Sequence, residues 1–154
     1  MPDSPEPVPS AVVFRAKTVY GLVALLELAS VHPAGGVLQA AEIAARQGIP
    51  ERYLEQMLAS LRRGGILRSL RGPRGGYRLA RPPEEISVAE VVACLEGEMA
   101  KGRSAGTGTP EFSVVAGLEA ALERRGQELL AARSLDQLLR ERQVLGDAPV
   151  MYFI

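Results

Sequence analysis

What this chain has little of narrows its chemistry first. It contains one cysteine and one histidine. A single cysteine excludes an internal disulfide and any multi-cysteine metal site built within one chain. The lone histidine, His32, has no partner at ligand spacing and reads as a loop residue, so no metal site and no cofactor are expected. No apolar run reaches the ~20 residues of a bilayer-spanning helix, so no membrane partner is expected. The opening MPDSPEPVPS lacks the basic-then-apolar order of a secretory signal, and residues 1–12 are expected to form a disordered leader. The expected compartment is the cytoplasm. Net charge is also missing, since 18 basic side chains balance 18 acidic ones. That balance argues against a nonspecific nucleic-acid coat but not against a local basic face. Finally, there is no carboxylate pair, nucleophile–base set or metal cluster, so an enzyme is not expected.

What is present is unevenly placed. Between residues 62 and 81 stand Arg62, Arg63, Arg68, Arg71, Arg74, Arg78 and Arg81, with no acidic residue among them. Such a cluster in a neutral chain is the electrostatic footprint of a polyanion. At 154 residues and 47% hydrophobic content, the chain can build one core, alone or with a dimerisation arm.

The local pattern gives that charge a frame. Over 14–31, Val19, Leu22, Val23, Leu26 and Ala29 recur at helical spacing and predict one apolar stripe. Arg15 and Lys17 lie near the start of this helix, mostly off the stripe. Basic groups there oppose the helix dipole and suggest a nearby phosphate, although a solvated helix end has the same pattern. His-Pro-Ala-Gly-Gly stops the helix. Residues 38–47 predict a shorter helix, and Gly48 is suited to the left-handed turn that ends it. Pro50 suits the first position of a helix over 50–63. Helix, glycine turn, helix is the order of a helix-turn-helix. In the second helix Leu54, Met57, Leu58 and Leu61 form the buried stripe, while Glu51, Arg52, Glu55 and Gln56 lie off it. Arginine can pair with guanine, glutamine with adenine and glutamate with the cytosine amino group. Glu51 is explained by the helix dipole alone, whereas Glu55, a turn further in, is assigned to base readout.

Gly64-Gly65 ends that helix. Two strand candidates, 66–70 and 77–79, flank Arg71-Gly72-Pro73-Arg74-Gly75-Gly76. Glycines supply positive φ and close approach, and Pro73 stiffens the tip, giving a β-hairpin that presents Arg71 and Arg74. Inserted arginines suit the negative potential of a narrow minor groove. A phosphate-binding loop would need GxxxxGK followed by Ser or Thr and then a helix, and none of these follows.

The run YLEQMLASLRRGGILRSLRGPRGGYRLAR, followed by ISVAEVVACLEG, closely resembles the Rrf-two family of bacterial transcription regulators. The resemblance covers about residues 14–96 well and the later helices more loosely. It implies a homodimeric winged helix-turn-helix repressor or activator on a pseudopalindromic operator. It places Tyr53, Glu55 and Gln56 on the recognition helix and Arg71, Pro73, Arg74, Gly75 and Gly76 in the wing. Cluster-binding members of that family carry three cysteines in the loop before their long helix. Here that stretch is EMAKGRSAGTGTPEF and has none, while Cys94 falls earlier, within the preceding helix. An iron–sulfur cluster held in the usual way is therefore not expected.

In the second half, SVAE at 87–90 is a capping box, and Cys94 on the helix it opens reads as a small core residue. Residues 98–109 have a flexible-loop composition. Thr109-Pro110-Glu111 opens a long helix carrying Phe112, Val115, Leu118, Leu122 and Leu129 on one stripe. No later segment is large enough to cover that stripe, so it is assigned to dimerisation. SLDQ at 134–137 opens a last helix, and 150–154 form an apolar tail. The predicted architecture is mainly α with a small β-hairpin wing: a winged helix-turn-helix DNA-binding domain over 13–97, then a dimerisation arm over 110–154. The expected partners are double-stranded DNA and a second copy of the chain, with a small-molecule or protein effector left open. The alternative is a protein-interaction adaptor that docks a metabolic enzyme through the same fold. Arginines at the wing tip favour DNA.

Overall fold

A computed structural model describes residues 13–100 and 108–146. The expectations for the leader, most of the loop and the apolar tail fall on residues 1–12, 101–107 and 147–154, outside the described residues. The chain runs α1 (Ala16–Val31), α2 (Ala40–Gln47), α3 (Glu51–Arg63), β1 (Leu67–Leu70), β2 (Gly76–Leu79), α4 (Val88–Ala100), α5 (Pro110–Ala131) and α6 (Leu135–Gly146). The mainly helical architecture with one antiparallel hairpin is the predicted one.

The buried face of α1 differs from the expected stripe. Gly21, Ala24, Leu25, Leu28 and Ala29 are buried, while Val19 is exposed and Leu22, Val23 and Leu26 are only partly covered. This helix is apolar on most sides, so its periodicity does not single out a face. Gly21 does: a Cβ there would lie 2.7 Å from the Leu95 side chain, so its absence lets α1 and α4 approach closely. From α3, Leu54, Leu58 and Leu61 are fully buried against this face, joined by Ile43 of α2 and Val91 of α4. Each such side chain contributes about 1.5–3 kcal/mol through apolar burial.

The turn between α2 and α3 follows expectation at Gly48, whose φ is 68°. Pro50 differs by one position: it is the residue before α3, with extended backbone at ψ 122°. The helix α2 also begins two residues later than predicted, because Leu38 is not helical. Its N–H donates to the Tyr77 carbonyl at 3.0 Å and its carbonyl accepts from the Tyr77 N–H at 2.7 Å. That exchange gives β2 a second backbone neighbour and ties the hairpin to the helix-turn-helix.

A carboxylate fixes α2 against α1. Arg46 Nε and Nη2 donate to Glu27 Oε1 at 2.9 and 2.6 Å, and Gln47 Nε2 donates to Oε2 at 2.6 Å. Burial alone would raise the Glu27 pKa, but the hydrogen bonds from Arg46 and Gln47 and the charge of Arg46 bring it below the ordinary 4.5. A lowered carboxylate pKa contributes stability that is present above the unfolded value and lost as pH falls through the folded value. Glu27→Gln is therefore expected to melt below the parent near neutral pH. The gap should close on acidification below 4.5. Thermal melts of both proteins across that range test this, and a gap independent of pH contradicts it.

The two predicted capping boxes form. The Ser87 hydroxyl accepts from the Glu90 N–H at 3.1 Å while Glu90 accepts from the Ser87 N–H at 2.9 Å. Ser134 and Gln137 make the same exchange, both at 3.1 Å. The two helix starts are joined, since Val88 N–H donates to the Arg133 carbonyl at 2.8 Å and Leu135 N–H to the Ile86 carbonyl at 2.9 Å. In this way α6 returns to the core and buries Leu135 and Leu139. It extends to Gly146, and α4 runs to Ala100, past the expected boundary at 97. Thr109 Oγ1 caps α5 by accepting from the Phe112 N–H at 3.3 Å. No residue of α5 is buried.

Candidate nucleic-acid interface

The outward face of α3 is polar because Leu54, Leu58 and Leu61 are buried in the core, while Met57, expected in the same stripe, is only partly covered. Glu51, Arg52, Glu55 and Gln56 are exposed and Tyr53 is half-buried. Packing of α1 on α3 adds a group from another helix. Lys17 Nζ lies 3.3 Å from Gln56 Oε1 and 5.2 Å from the centre of the Tyr53 ring. On the same ring, the Arg52 guanidinium carbon sits at 5.5 Å. The structure thus brings together Lys17, Arg52, Tyr53 and Gln56. The Tyr53 ring turns the negative face of its π-system to two cations, a contact worth about 0.5–1 kcal/mol each when exposed. Glu55 stands beside this group with no partner among the described residues. Arg15 precedes α1, its N–H donating to Glu96 Oε2 at 2.9 Å, and its side chain is not drawn into the α3 cluster.

The second group is on the hairpin, which leaves α3 at once: the Ile66 N–H donates to the Leu61 carbonyl at 3.0 Å. The register is Leu67↔Leu79, Arg68↔Arg78, Ser69↔Tyr77 and Leu70↔Gly76. Leu67 and Leu79 are buried at the root. At the tip, the Gly75 N–H donates to the Gly72 carbonyl at 2.9 Å, closing a narrow turn. A Cβ on Gly75 would lie 2.1 Å from the Leu70 carbonyl oxygen, so only glycine fits. Arg71, Pro73 and Arg74 are exposed on this turn, and neither arginine has an acidic partner among the described residues.

The arginine run is not uniform. Arg81 is spent on structure, pairing with Glu90 and donating to the Glu85 carbonyl at 2.9 Å. For Glu90, burial would raise the pKa, but the Arg81 and Ser87 hydrogen bonds leave it below its ordinary value. Arg62 and Arg63 donate to the hydroxyls of Ser69 and Ser60. Sequence reasoning missed two features of this region. One is the Leu38 tether. The other is the Arg68–Arg78 cross-strand pair, which with His32 lines an open cleft of about 250 Å³. Strand alternation across the hairpin was the available signal for the pair. No local signal marks the tether.

A helix-turn-helix followed directly by a glycine-tipped hairpin defines a winged helix-turn-helix protein. The family model described as "Rrf2: Iron-dependent Transcriptional regulator" matches residues 14–141, and the chain belongs to that family. It is similar to a Mycobacterium tuberculosis protein named "Putative HTH-type transcriptional regulator", with 42% identity over 98 residues, covering 64% of this chain and 60% of that protein. The chain thus matches less than two thirds of that curated relative's length. It is 34% identical over 133 residues to the HTH-type transcriptional regulator IscR of Xenorhabdus nematophila, covering 84% of this chain and 80% of that one. Among solved structures, T. potens IscR superposes with a TM-score of 0.72 at 29% identity, covering 94% of this chain and 99% of that chain.

The iron in the family's description can be set against the donors this chain offers. Among the described residues no three His, Cys, Asp or Glu side chains converge as a metal site. Cys94, the one cysteine of the sequence, is half-buried between α3 and α4, and its thiol donates to the Ser60 carbonyl at 3.4 Å. Burial raises its pKa, with Arg63 opposing, so the thiolate that a metal requires is disfavoured. These residues do not fit a thiolate-held cluster within one chain.

Proposed function

We propose that this chain is a cytoplasmic, sequence-specific DNA-binding regulator of transcription. It acts as a homodimer on a pseudopalindromic operator and uses no iron–sulfur cluster. The observation that carries the reading is the pairing of two surfaces. One is a polar helix face extended by Lys17. The other is a rigid turn with two arginines that no acid among the described residues neutralises. In a two-fold dimer the α3 helices enter successive major grooves roughly 34 Å apart, or a multiple of it. The wing arginines meet phosphates or the minor groove, and Arg15 is assigned a flanking phosphate. Among the described residues, no apolar or acidic feature of the wing tip favours the adaptor alternative.

Selection of bound duplexes from a random pool tests this, using freshly purified protein whose absorbance is recorded. A two-fold-symmetric consensus supports it. No enrichment, or a visible iron–sulfur absorbance, overturns it. Two substitutions separate the roles. Arg74→Ala should weaken binding to all sequences alike and lower the salt slope by about 1 per protomer, about 2 for the dimer. Glu55→Ala should leave the slope unchanged and relax base preference by ~1–3 kcal/mol at one position per half-site.

A further inference from the structure

The contact between Lys17 and Gln56 joins a cation on α1 to a side chain on the outer face of α3. An ammonium group only donates, so the amide atom facing it at 3.3 Å is the Gln56 carbonyl oxygen, and no other orientation is chemically sensible. The Gln56 amide nitrogen consequently points away from Lys17, with both its hydrogens free among the described residues. Tyr53 restricts the cation further, its ring centre lying 5.2 Å from Lys17 Nζ, and Arg52 flanks the same ring.

We propose that Lys17 is a positioning residue that sets the base preference of Gln56 by fixing which end of the amide faces the groove. This rests on the DNA-binding reading given above. A free glutamine prefers adenine, accepting from the N6 amino group and donating to N7. Here the carbonyl is engaged. It retains a second lone pair, but an adenine amino group approaching it meets the Lys17 ammonium, donor against donor. The exposed NH2 group instead suits a base edge made of acceptors, such as guanine O6 and N7 or thymine O4. Lys17 itself touches no base in this arrangement. Its effect on specificity passes through the Gln56 amide.

Pool selection with full-length protein tests this in four variants: Lys17→Ala, Lys17→Arg, Gln56→Ala and Lys17→Ala/Gln56→Ala. The parent should select guanine or thymine at the position that Gln56→Ala renders indifferent. Lys17→Ala should shift that position toward adenine by roughly tenfold in relative preference, the size of a good bidentate contact. Lys17→Arg, which still donates, should keep the parental preference. On the Gln56→Ala background, removing Lys17 should not alter preference there. If Lys17→Ala lowers affinity equally for every base and reduces the salt slope by about 1 per protomer, about 2 for the dimer, Lys17 is only a phosphate contact and the proposal fails while DNA binding stands. If the parent enriches no sequence, the DNA-binding reading fails and this inference falls with it.

Discussion

Gly75→Ala is expected to abolish tight DNA binding while leaving most of the fold intact. The added methyl group would be placed 2.1 Å from the Leu70 carbonyl oxygen and 2.9 Å from the Arg71 carbonyl carbon. Both are backbone atoms, so neither can rotate away. The turn must open, losing the Gly75–Gly72 hydrogen bond and the end of the strand pairing. The local cost is roughly 2–4 kcal/mol, in the range of substitutions that force backbone strain. Global stability should fall less, because the tip buries little and the hairpin is anchored at Leu67 and Leu79. Arg71 and Arg74 lose their placement in both copies of a dimer at once. Operator affinity should drop about a hundredfold or more near physiological salt. Gly72→Ala is an internal control. Its φ of 103° strains alanine, but among the described residues nothing beyond its chain neighbours lies within 4 Å of the new Cβ, so the loss should be smaller. Titration of labelled operator and thermal melts measure both effects. Normal binding by Gly75→Ala would mean that the wing turn has another conformation.

The wing and α3 were legible because their signals are local. Four leucine or methionine positions at helical spacing identify the inner face of α3, and a dense run of glycine, proline and arginine identifies the turn. Capping boxes at Ser87 and Ser134 are likewise short-range, and both form. The failures have a common physical origin in contacts between distant segments. In the stripe read for α1, Ala29 is buried, Leu22, Val23 and Leu26 are only partly covered and Val19 is exposed, because most sides of the helix are apolar and its buried face depends on Gly21 meeting Leu95 across helices. Leu38 belongs to a helical pattern by sequence, but its backbone is claimed by Tyr77. From its charge at a helix start, Lys17 reads as a basic group either near a phosphate or at a solvated helix end. Its link to Gln56 depends on how α1 crosses α3, which no window of sequence contains.

The largest quaternary effect is expected from Leu122→Asp. α5 spans 22 residues, about 33 Å of helix, and exposes Phe112 by 51%, Val115 by 56%, Leu118 by 63%, Leu122 by 66% and Leu129 by 58%. An isolated helix with such a stripe is marginal in water, because most helical stability comes from packing an apolar face. Among the described residues nothing from the same chain covers it. A second α5 related by a two-fold axis would bury the stripe against itself, each residue meeting its counterpart's neighbourhood. An aspartate at 122 would then place two carboxylates in a dry seam, and burying unpaired charges costs several kcal/mol per ion. The variant should run as a monomer at micromolar concentration, and its melting should become independent of protein concentration. Binding should suffer more than a local contact would suggest. Linking two half-site readers gains about 10²–10⁴ in avidity, and a monomer forfeits it. Sedimentation of parent and variant, paired with titration of full and half operators, measures both consequences. The parent should prefer the full site strongly, whereas Leu122→Asp should bind full and half sites with nearly equal weakness. A parent that sediments as a monomer would remove α5 from the interface. If the variant stays dimeric instead, the seam lies elsewhere, and the half-covered face of α1 at Leu22, Val23 and Leu26 is the next apolar surface to test by the same substitution.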